Sequence, residues 1–128
     1  MASFIFVALG GALGTMARYG INLLLHNMSG FFVATFSVNV IGSLLLGGVV
    51  GWLSRQPYMA EIVAHNVRLF LVVGVFGGFT TFSTFSWEVF QLFERREIFY
   101  AVAYISGSVI FSVLGFMAGY ALMRSVLS

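Results

Sequence analysis

Long apolar runs dominate the chain, and four of them are long enough to cross a lipid bilayer. A membrane-spanning helix needs about 20 predominantly apolar residues, and the candidate spans cover residues 4–25, 32–53, 67–93 and 98–122. The runs are continuous and lack the alternation of polar and apolar residues found in membrane barrels, which favours helices. The pattern predicts an all-α integral membrane protein whose 128 residues form a single four-helix domain.

Composition supports a membrane protein and argues against several other classes of protein. The chain is 60% hydrophobic and 8% charged, whereas a soluble domain has about 25% charged residues. A formal net charge of +2 is too small to suggest a nucleic-acid partner. Cysteine is absent, which excludes disulfides and thiol chemistry. The sequence also contains no metal-ligand cluster, catalytic dyad or phosphate-binding loop, so we predict no catalytic residues and no enzyme.

The arginines are balanced between the two membrane faces. Four spans put both termini on one face, called face A here, and the turn between the third and fourth spans on the opposite face B. Arg18 lies in the second half of the first span and can snorkel to face B. The count is then three against three: Arg55, Arg68 and Arg124 at face A, and Arg18, Arg95 and Arg96 at face B.

Orientation in the membrane follows the Lys/Arg bias of short loops. A tie therefore predicts insertion in both orientations, followed by assembly of an antiparallel, dual-topology homodimer. The alternative is that Arg18 is paired inside the protein, which leaves three arginines against two and a single fixed topology.

The third span contains an unusual stretch, Gly77–Ser86, with the sequence GGFTTFSTFS. Each glycine weakens a helix by about 1 kcal/mol, so we predict that the third helix is broken here. Such breaks are tolerated only where protein or water satisfies the freed backbone groups. Freed carbonyls suit a small hard cation such as Na⁺, while the hydroxyls and the electropositive ring edges of Phe82 and Phe85 can contact an anion.

Other polar residues within the spans are candidates for function, because polar groups are costly in the membrane. Asn39 either bridges two helices or donates its amide N–H groups to an anion, and the second interpretation is favoured. Tyr104, Ser108 and Ser112 follow a four-residue spacing on one helix face, which indicates a packing seam or one wall of a pore. Glu88 either lines a vestibule or pairs with an arginine, and pairing is favoured.

Three pairs of glycines are spaced four residues apart, at Gly10 and Gly14, at Gly47 and Gly51, and at Gly115 and Gly119. This spacing lets membrane helices approach closely. Glycine is also common in membrane helices for no specific reason, so each pair alone leaves both interpretations open.

Three motifs together carry a family resemblance: Gly10-Gly11-x-x-Gly14-x-x-x-Arg18, Asn39-x-x-Gly42 and GGFTTFSTFS. With them the chain resembles the Fluc (CrcB) family of fluoride channels over essentially its whole length, and the third motif is the specific one. The resemblance implies an antiparallel dual-topology homodimer with two pores in the bacterial inner membrane. It also implies passive transport selective for F⁻ over Cl⁻, which exports fluoride that enters the cell as HF and gives fluoride resistance.

The resemblance also assigns roles to individual residues. It implies that the pore is lined by Asn39, Phe82, Phe85 and a hydroxyl track of Tyr104, Ser108 and Ser112, joined by Thr81 or Ser83. A structural Na⁺ at the dimer interface would be held by backbone carbonyls of Gly77 and Thr80 from both subunits. Glu88 would be a vestibule residue, grouped with Arg18, the characteristic arginine of the first span.

Two other functions remain open on the sequence. A small dual-topology multidrug exporter needs a mid-membrane carboxylate for proton coupling, and Glu88, late in the third span, is the only carboxylate within a span. A non-transporting assembly subunit would use Asn39 and Phe82 for packing alone. Besides fluoride, membrane lipid and a second copy of the chain, the sequence implies no partner.

Overall fold

The computed structural model describes residues 2–29 and 31–127, and within them every regular element is helical. A π-helical segment, Arg68–Phe76, follows α3 and leads into α4. The remaining elements are α1 (Ala2–Ser29), α2 (Phe31–Leu53), α3 (Glu61–Val67), α4 (Gly77–Phe79), α5 (Phe82–Glu94) and α6 (Ile98–Val126).

Four stretches of the described chain are long and apolar enough to cross a membrane, as the sequence predicts. They are Ala2–Leu25, Phe32–Leu53, Glu61–Glu94 and Ile98–Val126. The third is composite, because α3 continues into the π-helical segment and α4, and α5 follows after an interruption. The fold is therefore an all-helical membrane protein with four spans, one of which is broken.

Glycines allow the spans to pack in two parallel pairs. In the first pair, α1 lies against the π-helical segment, and a Cβ added at Gly74 would lie 2.8 Å from the Cα of Gly10. In the second pair, α2 lies against α6, and a Cβ added at Gly51 would lie 2.8 Å from the carbonyl oxygen of Tyr120. Backbones this close leave no room for side chains, so close packing at the predicted glycine pairs is confirmed.

The distribution of polarity is the reverse of that in a soluble protein. Large apolar side chains are exposed along every span, including Leu9 on α1, Leu45 on α2 and Phe111 on α6. Among the residues whose side chains the structure describes, four polar ones are instead buried among the helices: Thr35, Thr81, Glu88 and Ser108. Lipid can cover the apolar exterior at no cost, whereas each buried polar group needs a partner. The site is therefore built around these four residues.

Candidate functional site: the broken third span and its cavities

The third span breaks at Thr80 and Thr81, whose backbones are extended. Thr80 has φ −83° and ψ 157°, and Thr81 has φ −151° and ψ 118°. The N–H and the hydroxyl of Thr80 both donate to the carbonyl of Phe76, at 3.0 and 2.8 Å, and close the first half of the span. Thr81 begins the second half, because its Oγ1 accepts the N–H of Thr84 at 3.2 Å as a helix N-cap does. The predicted break is confirmed.

Asn39 satisfies the backbone of the break from the neighbouring helix α2. Its Oδ1 accepts the N–H of Thr81 at 2.7 Å, and its Nδ2 donates to the carbonyl of Thr81 at 3.0 Å. A primary amide carries one acceptor group and two N–H donors, so this pair uses the oxygen and one donor. Asn39 therefore bridges two helices, as the first of its two predicted roles requires, and keeps a second N–H for another acceptor.

The break also frees carbonyls from their helical partners, among them those of Gly77 and Thr80. In an unbroken α-helix the carbonyls of Gly77 and Thr80 would accept the N–H groups of Thr81 and Thr84. Those N–H groups instead donate to Asn39 Oδ1 and to Thr81 Oγ1. Carbonyl oxygens are suitable ligands for hard cations. The two residues assigned to Na⁺ by resemblance are thus among those whose carbonyls lose a helical donor, and carbonyl oxygens fit such an ion.

A cavity of about 270 Å³ lies beside the break and is called the inner cavity. Residues from α2, from the break and α5, and from α6 form its walls. Six of the eight predicted pore residues line it: Asn39, Thr81, Phe82, Phe85, Ser108 and Ser112. The other lining residues are Ser43, Thr80, Val109 and Val113.

Ser108 is the one buried side-chain donor of the described chain that forms no well-aligned hydrogen bond, although its hydroxyl lies near that of Tyr104. Its Oγ is buried, the residue is 5% exposed, and it lines the inner cavity. Leaving a buried hydroxyl unpaired costs about 1–3 kcal/mol, so such a group indicates a ligand that the fold itself does not supply.

A second cavity, of about 390 Å³, lies toward face B and is called the outer cavity. Tyr104 lines this cavity and does not line the inner one. Its ring packs against Phe85, with centroids 5.1 Å apart and planes at 54°, and Phe85 in turn packs against Phe82 at 5.4 Å. Phe85, which lines the inner cavity, therefore contacts Tyr104, which lines the outer cavity. The outer cavity is lined by Phe32, Leu92, Glu97, Tyr100, Ala103 and Tyr104.

The carboxylate of Glu88, on α5, accepts hydrogen bonds from two hydroxyl groups. Thr35 Oγ1 donates to Glu88 Oε1, and the Tyr104 hydroxyl donates to Glu88 Oε2, both at 2.6 Å. The side chain is only 2% exposed and lines neither cavity. The favoured expectation of an arginine partner is wrong, because no described arginine forms an ion pair with Glu88. Hydroxyl donors take that role because they can enter the core without bringing a second charge with them.

The other predicted residues lie outside the inner cavity. Ser83 is exposed, and its Oγ lies 3.3 Å from Thr81 Oγ1. Gly77 is exposed in open space, since a Cβ added there would meet nothing nearer than 3.9 Å. Arg18 is half-buried on α1 and forms no ion pair with a described residue. It is not a lining residue of either cavity.

Sequence reasoning missed two polar residues on α2. Ser43 lines the inner cavity, and Thr35 donates to Glu88. Both could have been found from their spacing, because Thr35, Asn39 and Ser43 repeat every four residues, as Tyr104, Ser108 and Ser112 do on α6. These two sets are called the α2 stripe and the α6 stripe below.

Comparison with known proteins gives one consistent result. The model of the family described as CrcB-like protein, Camphor Resistance (CrcB), matches residues 5–120. A fluoride-specific ion channel of Novosphingobium aromaticivorans is 42% identical over 98% of this chain and 99% of its own length. The proteins of the same name from Paracoccus denitrificans and Chlorobium luteolum are 40% and 45% identical, over 97% and 92% of this chain and 96% and 87% of their own lengths.

These relatives are named as ion channels, so the expectation of a transport protein and not an enzyme is confirmed at the level of the family. The match extends over all four spans, including the broken one. The chain belongs to the CrcB-like family of membrane proteins.

Proposed function

We propose that this chain forms a passive, fluoride-selective channel that lets F⁻ leave the cytoplasm across the bacterial inner membrane and so gives fluoride resistance. The observation that carries the proposal is the inner cavity, which is lined by neutral donors and contains the unpaired hydroxyl of Ser108. The names of the curated relatives give independent support.

The chemistry of the inner cavity suits fluoride. A pore for a strongly hydrated ion must replace its water without binding it so tightly that it cannot leave. The cavity offers the Ser108 and Ser112 hydroxyls, the remaining N–H of Asn39 and the edges of Phe82 and Phe85, none of which carries a full charge. Several weak donors in sequence meet both requirements better than one arginine would.

The same lining supports passive transport over proton-coupled export. None of the residues that line the inner cavity is ionisable, whereas a multidrug exporter needs a carboxylate in its pathway for proton coupling. Glu88 is buried and engaged by Thr35 and Tyr104. A non-transporting assembly subunit would have no use for a cavity that contains an unpaired donor.

The permeation route that we propose runs from the outer cavity past Phe85 and Tyr104 into the inner cavity. On α6, Tyr104 to Ser112 covers about 12 Å at 1.5 Å per residue, so hydroxyls recur about every 6 Å along the route. Phe85 contacts both Tyr104 and Phe82 by ring packing. Phe85 therefore contacts one lining residue of each cavity, Phe82 of the inner and Tyr104 of the outer.

The assembly that we propose is an antiparallel, dual-topology homodimer with two pores. Arg18 has no ion-pair partner in the described chain, which supports the three-to-three arginine count that predicts both orientations. Phe82 is 76% exposed beside the inner cavity, although it belongs to the polar break. A second copy packed against this surface would cover the ring and complete the wall of the pore.

The proposed ligands of the structural Na⁺ are the carbonyls of Gly77 and Thr80. Two oxygens are fewer than a hard cation takes, so a second copy would supply the rest at a twofold axis. When bound, the ion supplies fixed positive charge near the pathway and joins the two subunits. The exposure of Gly77 next to the break supports a position at such an interface.

The test is F⁻ efflux from proteoliposomes, measured with a fluoride electrode while K⁺ and valinomycin set the voltage. We expect fast F⁻ release without Cl⁻ release, and its loss in Phe82→Ile. A folded, dimeric sample that releases no F⁻ would contradict the proposal. Proton-dependent efflux of a lipophilic cation that disappears in Glu88→Gln would favour the exporter instead.

A further inference from the structure

Two arginines from different helices meet at face A. Arg55 follows the end of α2, and its Nη2 donates to the backbone carbonyl of Arg124, in the last turn of α6, at 3.3 Å. Arg124 is fixed in turn by Tyr120. Its Nη1 donates to the Tyr120 hydroxyl at 3.4 Å, and its Cζ lies 5.6 Å from the centre of the Tyr120 ring. The Arg55 guanidinium is therefore held at the Arg124 backbone, and the Arg124 guanidinium is held at Tyr120, at the same end of α6.

No acidic group of the described chain offsets this pair. Both arginines are exposed, and neither forms an ion pair with a described glutamate. A guanidinium has five N–H donors, and each of these two uses one in the contacts above. Most of the donors are thus available to an external anion.

A purely apolar groove leads away from this pair toward the middle of the membrane. Its volume is about 530 Å³, and residues of α2 and α6 line it together with Phe76 of the π-helical segment. Gly48 leaves it open, since a Cβ added there would meet nothing nearer than 3.9 Å. From Leu44 to Trp52 it extends about 12 Å along α2, at 1.5 Å per residue. Met123, directly before Arg124, lines its outer end. The full lining is Leu44, Leu45, Gly48, Val49, Trp52, Phe76, Gly119, Leu122 and Met123.

We propose that this face is a binding site for one anionic phospholipid, with its phosphate at Arg55 and Arg124 and an acyl chain in the apolar groove. The two parts match the two ends of such a lipid, and basic pockets between membrane helices are suited to anionic headgroups. A soluble phosphate would leave the groove unused. The site would anchor α2 to α6 at their face-A ends.

A second copy of the chain fits this face less well. In an antiparallel neighbour the charged turn Glu94–Glu97 would lie at this membrane face, and its two glutamates are already balanced by Arg95 and Arg96. Such a neighbour therefore brings no net negative charge to the arginine pair. An anionic lipid brings the charge and the apolar chain together.

The experiment is native mass spectrometry of the full-length protein in neutral detergent, titrated with dioleoyl phosphatidylglycerol or dioleoyl phosphatidylcholine. The acyl chains are identical, so the comparison isolates the headgroup charge. We expect tighter binding of phosphatidylglycerol, by about fivefold for each arginine, and a smaller preference as salt is raised. The double variant Arg55→Gln/Arg124→Gln should reduce the preference to parity, whereas Arg95→Gln/Arg96→Gln, which removes two arginines from face B, should leave it unchanged.

The groove is tested separately with Gly48→Leu. A Cβ at Gly48 meets nothing nearer than 3.9 Å, so the new side chain can enter the groove without displacing the backbone. Binding of both dioleoyl lipids should weaken, and soluble glycerol phosphate should not compete with them. If the double variant does not fold, Arg55→Gln alone, changed at an exposed turn position, should lose about fivefold.

Three results would overturn the proposal. Equal binding of the two lipids by the unchanged protein would remove the role of the headgroup. An unchanged preference in the arginine variants would place any lipid elsewhere. Conversion of the protein to a monomer by Gly48→Leu would identify a second copy of the chain as the occupant of the groove. Each readout is independent of fluoride transport, so the failure of one proposal does not affect the other.

Discussion

The α2 stripe and the α6 stripe share a four-residue spacing but differ in how the fold uses them. On α2, Thr35 donates to Glu88, and Asn39 forms two hydrogen bonds with Thr81. On α6, Ser108 lines the inner cavity and forms no well-aligned hydrogen bond. The difference is that Thr35, Asn39 and, on α6, Tyr104 hold Glu88 and the break in place, while the Ser108 hydroxyl is left for whatever enters the cavity.

The largest effect on stability is expected from Asn39→Ala. The change removes the Asn39 hydrogen bonds to the N–H and to the carbonyl of Thr81. Each unsatisfied backbone group costs about 1–3 kcal/mol. The free energy of unfolding in detergent should fall by about 2–6 kcal/mol, and F⁻ efflux should be lost with it.

Ser43→Ala is the matched control for Asn39→Ala. It lies one turn further along the same stripe and also lines the inner cavity, but no hydrogen bond connects its side chain to the break. We expect little change in stability. Equal losses in Ser43→Ala and Asn39→Ala would mean that the α2 stripe does not support the break through Thr81.

A smaller loss is expected from Tyr104→Phe, the α6 position that the fold does use. The change removes one of the two 2.6 Å hydrogen bonds that hold buried Glu88, which should cost about 1–3 kcal/mol. Tyr100→Phe is the control, because this exposed tyrosine also lines the outer cavity but contacts no buried carboxylate.

A double-mutant cycle sharpens the result for Tyr104. Thr35→Val removes the other hydroxyl bonded to Glu88, so the two losses should not add, and the coupling free energy should be about 0.5–3 kcal/mol. Additive losses would indicate that Tyr104 stabilises the fold through its ring packing with Phe85 and not through Glu88.

Much of this arrangement is predictable from the sequence because it follows from local rules. The glycines and hydroxyls of GGFTTFSTFS predict the break, and the spacing of Tyr104, Ser108 and Ser112 predicts their common face. The glycine pairs are compatible with close backbone contact, but the sequence alone does not choose this over the ordinary abundance of glycine in membrane helices. Each of these inferences needs only the geometry of one helix and the cost of polar groups in lipid.

The partners of the buried polar groups could not be predicted in the same way. Attraction between opposite charges predicts an arginine partner for Glu88. Its actual partners, Thr35 and Tyr104, depend on how α2 and α6 pack against α5, which the sequence does not give. Asn39 likewise shows what the sequence cannot predict. Its amide bridges the break with its oxygen and one N–H and still has an N–H for the inner cavity. The contact with Thr81 shows the bridging role and leaves one N–H of the amide unused.

The smallest effect on stability and the most informative one is expected from Ser108→Ala. Removing a buried hydroxyl that has no partner relieves an unsatisfied group, so the free energy of unfolding should stay the same or rise slightly. Hydrogen bonds to charged groups contribute about 1.5–3 kcal/mol, so F⁻ efflux should fall by about tenfold or more if the hydroxyl serves the ion. Ser106→Ala, exposed on the same helix, is the control and should alter neither. A loss of stability in Ser108→Ala would mean that Ser108 has a partner in the assembled protein, and the two stripes would then be alike in holding the fold together. Lower efflux with unchanged stability would show that the Ser108 hydroxyl serves the ion, whereas Thr35 and Asn39 serve the fold.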